Sequence, residues 1–177
     1  MRRFPLLAIV LAAVAGGCVV SKAPVSGLGE RAAPFGERTT LTIFERADGK
    51  AAWKQSEQKM VTLVGGSNKI FHSLDEKGKS EDGNFTFHAL GPDRYLVQAR
   101  FSDQRYGFAV LQIRNGEGLV SPLLCKTIDG EAVKKAGMRM VADDCWLEDA
   151  KDPAGFLKTI AAAAPEPTVK YVPVKPK

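Results

Sequence analysis

The side chains of this 177-residue chain best suited to chemistry are three cysteines (Cys18, Cys125 and Cys145), two histidines (His72 and His88) and the carboxylates at Asp143-Asp144 and between Asp149 and Asp152. A catalytic or structural zinc takes three or four ligands, and neither C-x-x-C nor H-E-x-x-H spacing occurs to gather them. Two imidazoles in separate segments read as surface histidines near the solvent face of a sheet. The aspartate clusters lack the D-x-D-x-[DN]-G order of a calcium loop and read as solvated turns. No serine sits in a G-x-S-x-G elbow. Gly65-Gly66-Ser67 lacks the lysine and the following helix of a phosphate loop, so a turn is expected there. No catalytic residue, metal site or cofactor is therefore expected, and an enzyme is the least favoured function class.

Cys18 has a context of its own. Met1-Arg2-Arg3-Phe4-Pro5 is a positively charged start, Leu6 to Val14 a short apolar stretch, and Ala15-Gly16-Gly17 a run of small residues, which together make residues 1–17 a signal peptide. The apolar stretch is too short to cross a bilayer as a helix. Ala15-Gly16-Gly17-Cys18 resembles the lipobox of bacterial lipoproteins, with alanine where leucine is commonest. That resemblance covers the leader alone. It implies cleavage before Cys18 and lipidation of its thiol by chains such as palmitate, and each buried methylene of such chains is worth about 0.8 kcal/mol towards membrane anchorage. Val19 stands where aspartate would mark inner-membrane retention, which implies an outer-membrane anchor and a periplasm-facing protein. Residues 18–37, rich in Gly, Pro, Ala and Ser without periodicity, are expected to be the lipidated N-terminus and a flexible tether.

An exported chain keeps its disulfides, so Cys125 and Cys145 are expected to pair, in a loop whose closure is worth on the order of 3 kcal/mol in the chain-entropy account.

The elements that must position these residues are mostly strands. Phe85 to Ala89 and Tyr95 to Phe101 alternate apolar and polar, with Gln98 and Arg100 turned to water, while Tyr106 to Arg114 is apolar on both faces and reads as central. Leu119 to Leu124 carries Pro122, which places it at an edge or a bulge. Gly91 to Arg94, Ser102 to Arg105 and Asn115 to Gly118 supply turns. Upstream, Thr39 to Phe44, Lys59 to Val64 and Lys69 to Ser73 read as further strands, Asp48-Gly49 as a turn, and Asp75 to Gly83 as an exposed loop. Downstream, a short helical turn is expected from Gly130 to Lys135 and a short strand from Met138 to Val141. Asp152-Pro153 is a capping pair that opens a helix with Phe156, Leu157, Ile160 and Ala164 at helical spacing, ending before Pro165. The expected fold is mostly β (α+β): an antiparallel meander of about seven strands, as a small barrel or curved sheet, with one C-terminal helix. It occupies residues 38–164 as a single domain, followed by a disordered Pro/Lys-rich tail over 165–177.

The formal charge of +5 is carried largely by the leader and the tail, with no basic stripe interleaved with aromatics, so no nucleic-acid partner is expected. The expected partners are the membrane, through the lipid anchor, and another envelope protein met by a non-enzymatic accessory module. The alternative is a carrier of lipid or another small apolar ligand, in a barrel lined by Phe85, Phe87, Tyr95, Phe101 and Tyr106.

Overall fold

The computed structural model describes residues 17–80, 83–101 and 103–175; the predicted leader up to residue 16 and the last two residues of the tail lie outside them. In chain order the elements are β1 (Val19–Ser21), β2 (Arg31–Ala32), β3 (Arg38–Glu45), β4 (Lys54–Gly65), β5 (Phe71–Leu74), β6 (Phe85–Gly91), β7 (Arg94–Arg100), β8 (Tyr106–Arg114), β9 (Glu117–Pro122), α1 (Gly130–Ala136), β10 (Arg139–Val141), β11 (Asp144–Trp146), α2 (Pro153–Ala162) and β12 (Val169–Pro173). The strands from β3 to β9 form the antiparallel meander that the alternation predicts. β12 then pairs antiparallel with β3 on one side and β9 on the other, closing an eight-stranded barrel. Closure removes both free edges of the meander.

The closing strand corrects the expectation of a mobile tail. Val169 and Tyr171 are buried in the barrel while Lys170 and Val172 alternate with them, so the segment carries a period-2 pattern of its own. Its prolines do not break the ladder, because Pro165 and Pro167 precede the strand and Pro173 ends it.

Eight strands enclose a space that side chains just fill. Here Leu41, Ile43, Val61, Leu63, Val97, Ala99, Ala109 and Leu111 line the interior together with three aromatic rings. The Phe71 ring centroid lies 5.9 Å from that of Phe85 and 5.3 Å from that of Phe87, the latter pair edge-on.

A second apolar cluster lies on the outside of the barrel. β8 serves both, with Ala109 and Leu111 in the interior cluster and Phe108 and Val110 in the outer one. The outer cluster also takes Val19 and Leu28, Val133 of α1, and Leu157 and Ala161 of α2. α2 starts as its sequence predicts, with the Asp152 side chain accepting from the Gly155 amide and Pro153 in the first turn.

Val19 and Leu28 belong to this layer while Ala33 and Phe35 pack against the interior cluster, so residues 18–37 are part of the fold, which corrects the expectation of a tether. β1 pairs antiparallel with β8 and parallel with β11, and β2 pairs with β6. Leu28 is turned into the cluster between Gly27 (φ 75°) and Gly29 (φ 113°), backbone angles that favour glycine. Pro122 marks a change of partner: the Leu123 amide still donates to the Phe108 carbonyl, and the next residues along β8, Gly107 and Tyr106, pair with β1 instead of β9.

Burial of the outer face also corrects two solvent assignments. Gln98 is buried, and its Oε1 accepts from the Val25 amide at 2.7 Å. His88 is buried as well, beneath the Gly29 backbone, whereas His72 is half-buried.

Candidate functional site

The groups around Cys18 come from four separate parts of the chain. The Cys18 amide donates to Oδ1 of Asp144 at 2.8 Å, and the Cys18 carbonyl accepts from the Cys145 amide at 2.9 Å. On the other side, the Cys125 amide donates to the Gly17 carbonyl at 2.8 Å and the Val19 amide to the Leu123 carbonyl at 3.1 Å. The backbone from Gly17 to Val19 is thus held between the segment after β9 and β11. Cys125 and Cys145, which tie those two segments together, form the expected disulfide with their Cα atoms 5.4 Å apart.

Asp144 is expected from sequence to be part of a solvated turn; it is instead the hub of this site. Its Oδ2 accepts from Arg105 Nη1 at 2.8 Å while Asp103 accepts from Arg105 Nε at 2.7 Å. Burial opposes the Arg105 charge and the two carboxylates outweigh it, so the guanidinium stays protonated. Arg105 and Lys22 also stand over the ring of Trp146, 5.9 and 5.7 Å from its centroid. The Trp146 Nε1 hydrogen is buried with no acceptor among the described residues. Within this setting burial, and secondarily the Asp144 carboxylate, push the Cys18 thiol up to about 11. A thiol held protonated is a weak nucleophile.

Of the five aromatic residues expected to line a ligand cavity, three are brought together in the interior and two are not. Phe85 and Phe87 are packed in the interior against Phe71, and Tyr95 leans on the same cluster. Tyr106 packs against the outer cluster, and Phe101 follows β7 and belongs to neither. In the interior the rings of Phe71, Phe85 and Phe87 pack against one another.

An open cleft of about 370 Å³ lies instead on the outside, between the Leu28-Gly29 backbone, the β6–β7 turn and α2. Arg94 and Lys158 stand in it with their charges engaged. Lys158 Nζ donates to the Gly27 carbonyl at 2.9 Å, and Arg94 donates to the carbonyls of Ala161 and Ala162 at the negative end of α2. His88, next to the cleft wall, is satisfied on both sides. Its Nδ1 faces the Gly29 carbonyl, which can only accept, so Nδ1 carries the proton and Nε2 accepts from the Thr86 hydroxyl at 2.9 Å. Burial, together with the charges of Arg31 and Lys158, holds the His88 pKa below its ordinary value against the opposing hydrogen bond to Gly29. Among the described residues no group of three or more His, Cys, Asp or Glu side chains is placed to hold a metal ion, and no helix is long and apolar enough to cross a membrane.

The sequence signal for Cys18 lies in its leader, whereas Asp144, Arg105 and Trp146 have no local signature, being joined to it by the pairing of β1 with β11 and with β8. The chain matches no known protein-family profile, no curated protein and no solved structure.

Proposed function

We propose that this chain is a lipoprotein of the bacterial envelope, anchored through lipid on Cys18 to the outer membrane and facing the periplasm, where its barrel domain acts as a non-enzymatic accessory module that meets another envelope protein. The reading is carried by the position of Cys18, which directly follows a lipobox-like Ala15-Gly16-Gly17 and directly precedes a strand of the folded domain. Anchored there, the domain sits against the membrane surface, with no spacer between lipid and fold.

The non-enzymatic part is supported by how the reactive groups are engaged. The Cys18 thiol is held protonated, His88 is neutral between a carbonyl and a hydroxyl, and Arg94 and Lys158 are bonded to backbone carbonyls. The carrier alternative would draw on the barrel interior, where the Phe71, Phe85 and Phe87 rings offer an apolar surface.

Two measurements in cells decide between these outcomes. Cys18→Ser is expected to abolish fatty-acid labelling and to release the protein from the membrane fraction or leave it as uncut precursor; labelling and fractionation like the parent overturn the anchor. Crosslinking in intact cells, followed by capture of the mature protein, is expected to recover a stoichiometric protein partner. Recovery of a stoichiometric lipid without a protein partner promotes the carrier instead.

A further inference from the structure

The outer cleft holds two cations, Arg94 at the start of β7 and Lys158 of α2, and no carboxylate lines it. Their partners are neutral. Lys158 Nζ donates to the Gly27 carbonyl, Arg94 donates to the carbonyls of Ala161 and Ala162, and neither forms an ion pair with a described acidic side chain. A carbonyl dipole fixes the direction of a long cationic side chain without supplying a counter-charge. The end of α2 offsets part of the Arg94 charge, but Lys158 has no such offset. An ammonium carries three hydrogens and a guanidinium five, so both groups keep donors to spare. Side chains that are ordered before a ligand arrives also lose less freedom when it binds.

We propose that this cleft binds one anionic amphiphile, its carboxylate or phosphate head held by Arg94 and Lys158 and its aliphatic chain laid on Ala89, Leu90 and Ala162. The site lies outside the barrel and does not depend on how the chain is anchored. The head follows from the two uncompensated cations: a planar guanidinium matches carboxylate and phosphate oxygens, and an anion relieves the repulsion between the two charges. The chain follows from the rest of the wall, since a bare inorganic ion would leave Ala89, Leu90 and Ala162 wet. A cleft of about 370 Å³ stands at the small end of ligand sites, which run from about 300 to 1,000 Å³, and so suits one short chain.

His88 provides a reporter inside the protein. Its Nδ1 is bonded to the carbonyl of Gly29, a residue of the cleft wall, and the Thr86 hydroxyl holds its other nitrogen. The charges of Arg31 and Lys158 both act to lower its pKa. An anion paired with Lys158 removes part of that field, so occupation of the cleft moves the His88 titration upward.

The test titrates the purified protein with octanoate, octyl phosphate, inorganic phosphate and octyl glucoside, following the His88 ring resonances by NMR. Octanoate or octyl phosphate is expected to bind saturably, one per chain, at least about tenfold more tightly than inorganic phosphate, which lacks the chain, or octyl glucoside, which lacks the charge. The tighter of the two anions assigns the head, a free fatty carboxylate or a lipid phosphate. Binding of either is expected to raise the His88 pKa. Lys158→Gln, at an exposed position, is expected to weaken binding on the order of tenfold and to abolish that rise, while Lys158→Arg keeps both. Equal affinity for octyl glucoside or for inorganic phosphate overturns the proposal, as does binding that leaves His88 unmoved or that survives Lys158→Gln unchanged.

Discussion

The barrel and the layer packed on its outside are built by opposite means. In the barrel, seven strands follow one another along the chain and each pairs with its predecessor, so the structure is written in alternation and turns. The outer layer joins residues 17–28, the segment after β9 and β11, which are far apart in sequence and held by single buried residues, a disulfide and side-chain acceptors such as Asp144 and Gln98. Burial with a period holds the first; particular partners hold the second. The two should therefore fail in different ways.

The largest effect tests closure. Truncation after Ala164 removes β12 and leaves β3 and β9 with open edges, so the cooperative thermal transition is expected to disappear and limited proteolysis to become rapid. A truncated domain that melts like the parent would show that the meander does not need its hoop. A smaller and graded loss is expected from Phe71→Ala, which empties the centre of the aromatic cluster; denaturant titration should show about 3–5 kcal/mol of destabilisation with the fold retained.

The disulfide sharpens the comparison. Its reduction is expected to cost on the order of 3 kcal/mol in the chain-entropy account, and hydrogen exchange should rise in β1, β10 and β11 while the barrel amides stay protected. Equal loss of protection in β6 and β7 would make the two layers one cooperative unit.

The smallest effect concerns pH. The folded His88 pKa lies below the 6.5 of the unfolded chain, so the neutral ring's contribution is fully present above 6.5 and is lost as pH falls through that value and on through the folded pKa. His88→Gln is expected to flatten this part of the stability profile below about pH 7 in denaturant titrations. An unchanged slope would mean that the ring is not held neutral by the layer above it.

The same contrast explains what could be read from the sequence. β6, β7 and β8 are legible because Phe85 and Phe87, Val97 and Ala99, and Ala109 and Leu111 recur every second residue, and the disulfide is legible because the lipobox-like context of Cys18 sets it apart from the other two cysteines. β12 is obscured by Pro165, Pro167 and Pro173, although Val169 and Tyr171 carry the alternation that places it. In residues 18–37 there is no period to find: Val19, Val20 and Leu28 are buried one at a time, by the glycines around Leu28 and by strands far along the chain. Gln98 and His88 read as solvent-facing because a polar residue on an alternating strand usually is. Their burial depends on a cover that the strand's own sequence does not specify.

Closure by the last strand also sets an order of events. As the chain grows from its N-terminus, Val169–Pro173 emerges after every strand of the meander, so the earlier strands can pair as they emerge but the hoop stays open until β12 arrives. Pairing of the meander and its closure are thereby separated in time. The meander can begin to form without its hoop, and the pairing of β12 with both β3 and β9 then works as a latch that holds the finished barrel shut.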